Sequence, residues 1–179
     1  MSESPETVVL LADDGSVVGI APKATVHTTD TPLHLAFSCH VFDTDGRVLV
    51  TRRALDKKTW PGVWTNSLCG HPAPGEDVVE AIVRRADREL GLEITDVRVA
   101  LPDFRYRAVD ASGIVENEIC PVYTARAVGG LAPADDEVAE WAWVKPSELH
   151  AAVTGAPFAF SPWLGWQLAA WPGDYSFKG

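Results

Sequence analysis

The stretch GHPAPGEDVVEAIVRRADRELGL, residues 70–92, decides how the rest of the chain is read. From Glu76 onward Val78, Ile82, Ala86 and Leu90 recur every four residues with charges between them, which predicts an amphipathic helix. Gly91 falls where a helix-terminating glycine belongs. The charges are not spread as on a solvated face, however. Gly70, Glu76, Arg84, Arg85, Arg88, Glu89 and Gly91 are spaced so that a loop and a helix share one cluster of charge. A plain helix with ion pairs four residues apart, such as Glu80 with Arg84, is the alternative reading.

Working outward, the flanks read as strands. On the N-terminal side, Val8–Leu11 and Val17–Pro22 surround Asp13-Asp14-Gly15-Ser16, and Leu33–Phe42 and Arg47–Arg52 surround Asp43-Thr44-Asp45-Gly46; both are hairpin signals. An irregular stretch rich in Pro, Gly and Trp follows, from Ala54 to Gly75. On the C-terminal side, strands are expected near 94–100, 103–109, 114–127 and 138–144. A short helix is expected from Pro146, and a Trp-rich helix from a Ser161 cap with Pro162 at its first position, reaching about Trp171. One helix among many strands, with more helix at the end, is a mixed α+β architecture.

Composition narrows the class. The 179 residues fit one domain, and 46% hydrophobic with 22% charged residues is ordinary for a folded chain. Twenty-five acidic against 15 basic residues leave a net charge of −10, which argues against nucleic acid and anionic membranes as partners. The deficit lies in the flanks. Residues 23–107 carry twelve bases and twelve acids, and four of those bases fall in residues 52–58, so a small anion can still be met locally. Three cysteines, Cys39, Cys69 and Cys120, are too few for a disulfide framework. MSESPETVV lacks a basic segment before an apolar core, and prolines and glycines interrupt the uncharged run Leu149–Gly173. A cytoplasmic protein is expected.

The helix and its preceding loop resemble the Nudix box of enzymes that act on diphosphate-linked substrates, matching at Gly70, Glu76, Arg84, Glu89, Gly91 and Leu92. They depart from it at Arg85 and Arg88, where the box has acids. Nudix hydrolases hold divalent metals on those acids, so the departure removes equipment for hydrolysis, and an arginine there can instead clamp a diphosphate. Six further strings, in order, are similar to type I isopentenyl-diphosphate isomerases: His27 to His34 with Leu33–Phe37, Thr51–Ala54, Trp60–Asn66, Asn66–Pro72, Phe104–Arg107 and Ile114–Glu118. The resemblance runs from about Val8 to Trp163.

It implies a Nudix-type mixed β-sheet core in a single domain, residues 1–179, and interconversion of isopentenyl and dimethylallyl diphosphate. The alternative is a Nudix hydrolase of a nucleotide or prenyl diphosphate. By the residues alone, three imidazoles (His27, His34, His71) and two carboxylates leaving one face of a strand (Glu116, Glu118) suit a six-coordinate divalent cation. The resemblance implies the same site, filled by manganese, magnesium or zinc. It makes Cys69 and Glu118 the acid–base pair, without settling which donates the proton, and places Tyr106 on the catalytic glutamate and Trp163 beside the carbocation and in a lid. It further implies a magnesium ion on Glu89 and the Cys69 carbonyl, and Lys23, Arg53, Lys57 and Arg85 as diphosphate ligands. No organic cofactor is implied, the partner is the small prenyl diphosphate, and the family is commonly monomeric. His40, His150, Cys39, Cys120 and the other six tryptophans are read as structural.

Overall fold

The computed structural model describes residues 6–177. Residues 1–5 and 178–179, including the start of the stretch read above for a leader, lie outside the described residues. The chain opens with β1 (Thr7–Leu11) and β2 (Val17–Pro22), an antiparallel hairpin closed as expected at Asp13–Ser16, where Asp14 accepts from the Ser16 amide and hydroxyl at 2.9 and 2.6 Å. One helical turn, α1 (Lys23–Val26), leads into β3 (His34–Leu35), β4 (Phe37–Phe42) and β5 (Val48–Arg53).

The second expected hairpin forms differently from a continuous ladder. Only Phe42 and Val48 pair across β4 and β5, because the strands splay around two short strands, β6 (Trp64–Thr65) and β7 (Leu68–Gly70). β6 pairs with β5 and β7 with β4, and the Ser67 hydroxyl fills the gap by accepting from Val41 N and donating to Leu49 O, both at 2.7 Å. The irregular stretch therefore holds sheet structure where it meets Cys69.

α2 (Val78–Leu90) is the helix expected from residues 70–92. Asp77 caps it, accepting from the amides of Val79 and Glu80, and Gly91 ends it at φ 53°. A Cβ at Gly91 would come within 2.7 Å of the Ala132 carbonyl, so the left-handed turn and the close approach both require glycine. The Glu80–Arg84 pair of the alternative, plain-helix reading does not form. Arg84 instead reaches back to Glu76, Nε to Oε1 at 2.7 Å and Nη2 to Oε2 at 2.8 Å, tying the loop to the helix.

After α2 come β8 (Glu93–Leu101), β9 (Arg105–Val109), β10 (Val115–Ile119), β11 (Val122–Val128), β12 (Val138–Val144), α3 (Pro146–Gly155) and α4 (Pro162–Ala170). The single strand expected over 114–127 is two strands broken at Cys120-Pro121, and the halves lie in different sheets. One sheet runs β2-β1-β3-β10-β9, and the other β12-β5-β4-β11-β8. β3 and β4 break in the same way at Ala36, and each half runs parallel to its partner across the break: β3 beside β10, β4 beside β11. The crossing is stitched by Ala36 N to Ile119 O at 2.9 Å and Ser38 N to Pro121 O at 3.1 Å. Two neighbouring strands thus change sheets together and leave a cleft between the sheets.

The second sheet is covered on both faces, which is why every residue of β4 is buried. Ile82, Ala86 and Leu90 of α2 pack on Phe37, Cys39, Val41, Leu49 and Ala125 on one side; Leu149, Val153, Leu164 and Leu168 of α3 and α4 pack on Phe42, Val48 and Val50 on the other. Pro162 opens α4 as expected, but the Ser161 hydroxyl makes no cap bond and meets Thr65 Oγ1 at 2.8 Å instead. Among the described residues no helix is long and apolar enough to cross a membrane.

Candidate active site

The cleft between the sheets is a cavity of 490 Å³, and its walls bring together the sequence-predicted residues Lys23, His27, Arg53, Lys57, Cys69, His71, Arg85, Glu89, Tyr106, Glu116, Glu118 and Trp163. These come from both sheets, α1, α2, α4 and the loops between, so the double crossing builds the site. His34, wholly buried, stands behind this wall beside Glu118, with Nε2 3.4 Å from Oε1.

His27, His34, His71 and Glu118 each offer a ligand atom within 4.8 Å of the others. His34 Nδ1 donates to the Pro32 carbonyl at 2.9 Å, which leaves Nε2 as the bare nitrogen. That Nε2, His27 Nε2 and His71 Nδ1 are buried with no hydrogen-bond partner. His27 Nε2 does lie 3.0 Å from Glu116 Oε2, but without hydrogen-bond alignment. Two orphaned imidazole nitrogens, those of His27 and His34, in one cluster with the His71 ring and the Glu118 carboxylate, fit a divalent cation. Glu116 stands at the edge of this set rather than within it, touching His27, while its other oxygen accepts from Thr59 Oγ1 at 2.7 Å.

Glu118 is held through both of its carboxylate oxygens. His71 Nε2 lies 3.2 Å from Oε1, and Tyr106 Oη donates to Oε2 at 2.9 Å. Burial pushes its pKa up, but the imidazoles of His34 and His71 beside it outweigh burial and hold the carboxyl well below the usual range. Burial also raises the Tyr106 phenol, which therefore stays protonated and donates.

Cys69 enters the cavity from the other sheet, on β7. Burial, against hydrogen bonds with Ser38 and Asn66, pushes its thiol up to about 12. Its sulfur lies 3.3 Å from Asn66 Oδ1, an oxygen that also accepts from Trp163 Nε1 at 3.2 Å and Thr65 Oγ1 at 3.0 Å. Trp163 is 2% exposed, edge-on to Trp60 at 5.2 Å and 5.7 Å from Tyr106, and its ring lines the cavity. Gly70 sits next to Cys69 where a Cβ would meet Phe37 at 2.8 Å and Arg85 at 3.1 Å; glycine lets α2 approach β7 and puts Arg85 in the cavity.

The four expected diphosphate ligands converge, each already tied to a neighbour. Lys23 Nζ meets Glu6 at 2.6 Å, Arg53 donates to the carbonyls of Thr59 and Trp60, Lys57 pairs with Glu137, and Arg85 pairs with Glu89, with Glu6 at 3.2 Å and with Glu137 at 3.7 Å. Burial raises the pKa of Glu89, with Arg85 pulling it down and Glu137 pushing it further up.

The chain matches the NUDIX domain model over residues 32–164. It is 64% identical to a curated isopentenyl-diphosphate Delta-isomerase of Clavibacter michiganensis over 168 residues, covering 94% of this chain and 87% of that one. A second, from Leifsonia xyli, is 63% identical over 172 residues, with coverage of 95% and 93%.

The chain belongs to the isopentenyl-diphosphate isomerases of the Nudix family.

Among solved structures, a protein of Deinococcus radiodurans shares the fold, with a TM-score of 0.70 at 19% identity over 92% of this chain and 98% of that one. The MutT protein of Methanosarcina mazei does so at a TM-score of 0.54, with 19% identity and coverage of 67% and 82%. The isomerase buries Arg85 on α2 to 4% exposure.

Sequence reasoning missed Glu6, Glu137, Thr59, Ser38 and Gln167. Glu6 and Glu137 lie far along the chain from the cations they meet and carry no local signal. Thr59 sits in the stretch read as irregular, two residues after Lys57, the one hint of its place. Two tryptophans read as core or wall, Trp141 and Trp166, are 45% exposed. Lys58 donates to the His27 carbonyl at 2.6 Å and braces the loop that carries His27.

Proposed function

We propose that this isomerase interconverts isopentenyl and dimethylallyl diphosphate by two proton transfers, one at Cys69 and one at Glu118, made from opposite walls of the cavity. Moving the double bond requires a proton added at one carbon and another removed two carbons away, with no net redox change. The observation that carries the reading is the placement of a thiol from one sheet and a carboxylate from the other on a single cavity. Groups so placed reach the two faces of a flat alkene without moving.

Protonation leaves a tertiary carbocation, which Trp163 supports with its ring face by about 0.5–2 kcal/mol. The buried Trp163, with the half-buried Tyr106 beside it, keeps water from capturing it. Tyr106 orients the Glu118 carboxylate by its hydrogen bond, and Asn66 orients the Cys69 thiol.

Lys23, Arg53, Lys57 and Arg85 bind the diphosphate, exchanging carboxylate and carbonyl partners for phosphate oxygens. His27, His34, His71 and Glu118, with Glu116 beside His27, would hold manganese, magnesium or zinc, which supplies positive charge next to the acid–base carboxylate. Glu89 and the Cys69 carbonyl would hold a magnesium ion brought with the diphosphate, as hard oxygen ligands suit that ion.

A hydrolase is disfavoured by Arg85, since a buried cation replaces an acid that hydrolysis would use. Incubating the protein with isopentenyl diphosphate and magnesium separates the two. Dimethylallyl diphosphate formed without phosphate release is the expected result; phosphate or diphosphate released without isomer would refute it.

A further inference from the structure

Behind Cys69 runs an unbroken file of hydrogen bonds that the chemistry above does not use. Tyr175 Oη lies 2.6 Å from His40 Nδ1, and His40 Nε2 lies 2.8 Å from Gln167 Oε1. Gln167 Nε2 donates to Ser38 Oγ at 2.8 Å, and Ser38 Oγ lies 3.2 Å from Cys69 Sγ. Ser38, His40 and Gln167 are all wholly buried. They cross the layer where Phe42, Leu164 and Leu168 pack, and buried polar groups there are costly unless every one is paired.

The Gln167 amide gives the file a direction. Its nitrogen can only donate, so Ser38 Oγ accepts; its oxygen can only accept, so His40 carries its proton on Nε2. Burial draws the His40 pKa down to about 4, so the ring is neutral and its bare Nδ1 accepts a hydrogen bond from the Tyr175 hydroxyl. The hydroxyl hydrogen of Ser38 is left to point at a sulfur. Cys69 is the nearer, since Cys120 Sγ is 3.5 Å away. The Cys69 hydrogen points the other way, to Asn66 Oδ1, because Asn66 Nδ2 is committed to the carbonyls of Cys39 and Leu68.

We propose that Ser38 is a positioning residue for Cys69, its hydroxyl hydrogen held on the thiol sulfur by the file Gln167–His40–Tyr175. Ser38 keeps the sulfur turned toward Asn66 and the cavity and supplies a hydrogen bond to it through the proton transfer. The inference rests on the reading that Cys69 exchanges a proton with substrate.

The test is steady-state kinetics on Ser38→Ala, Gln167→Glu, their double variant and Cys69→Ala, each checked for a cooperative melt. Gln167→Glu keeps the shape but offers Ser38 only acceptors, turning its hydrogen away from sulfur. Each of the two single variants is expected to lose about tenfold or more in kcat, with KM for isopentenyl diphosphate within about twofold, and the double variant to be no worse than the poorer single. A kcat for Ser38→Ala within about twofold of wild type, or losses that multiply in the double variant, overturns the proposal. Should Ser38→Ala fail to fold, Tyr175→Phe at the far end of the file replaces it: a several-fold fall in kcat alone supports the file, and no change overturns it. An inactive Cys69→Ala beside a fully active Ser38→Ala sinks the positioning role only. An active Cys69→Ala removes the acid–base reading, and this inference with it.

Discussion

Tyr106 donates its phenolic hydrogen to Glu118 Oε2 at 2.9 Å, from the strand directly paired with the one that carries Glu118. The two residues are register partners in β9 and β10, so the sheet itself sets the bond. A hydrogen bond to a charged group is worth roughly 1.5–3 kcal/mol. Tyr106→Phe is therefore expected to lower kcat by about tenfold to a hundredfold while leaving the ring against Trp163 and KM little changed. Steady-state kinetics read this directly; unchanged kcat would show that Glu118 is oriented without Tyr106.

Thr59 does for Glu116 what Tyr106 does for Glu118. Its hydroxyl donates to Oε1 at 2.7 Å in a buried setting, while the opposite oxygen faces His27. Partners that orient ligands typically govern metal affinity by 10- to 100-fold. Thr59→Val is expected to weaken manganese binding by about tenfold, and Thr59→Ser to restore it. Titration calorimetry with manganese on chelator-stripped protein checks this, and equal affinities for all three forms would remove Thr59 from the site.

Glu6 faces the cations expected to hold the diphosphate. Burial raises its pKa, but the hydrogen bond and charge of Lys23, with Arg85 and Arg88, bring it down to about 2. It is ionised at neutral pH and competes with the substrate for the same groups. Glu6→Gln is expected to lower KM for isopentenyl diphosphate by a few-fold, with the gain shrinking as salt is raised. A KM that rises instead would mean that Glu6 organises the cations for substrate.

His40 sets a pH dependence of stability. Burial lowers its folded pKa from 6.5 to about 4. Between those values the unfolded chain binds the proton and the folded chain does not, so stability falls as pH drops from about 6.5 to about 4 and levels off below. The loss is on the order of a few kcal/mol. Urea denaturation from pH 7 to pH 4 is expected to show this component in wild type and not in His40→Gln. Parallel curves for the two proteins would place the proton elsewhere.

How much of this was legible beforehand depended on the range of the interactions. α2 was readable because its period, Asp77 cap and Gly91 stop are all local. The break at Cys120-Pro121 was not, since the apolar pattern continues through it and only the pairing of β10 and β11 with different sheets reveals the change. β6 and β7 are two and three residues long, too short for any periodicity, although β7 carries Cys69. The imidazoles and acids of the cavity were legible as a set through their resemblance to a family. Their partners were not: Glu6 and Glu137 meet Arg85 across 79 and about 50 residues of chain, and no spacing rule reaches that far.

The central claim, that Cys69 and Glu118 transfer protons from opposite walls, is tested most directly by nuclear magnetic resonance of the product made in deuterated water. Wild type should place deuterium in the newly formed methyl group of dimethylallyl diphosphate. Cys69→Ala and Glu118→Gln, checked by melting curve for an intact fold, should each form no labelled product above the uncatalysed background. Labelled product at the wild-type rate from either variant would contradict the account.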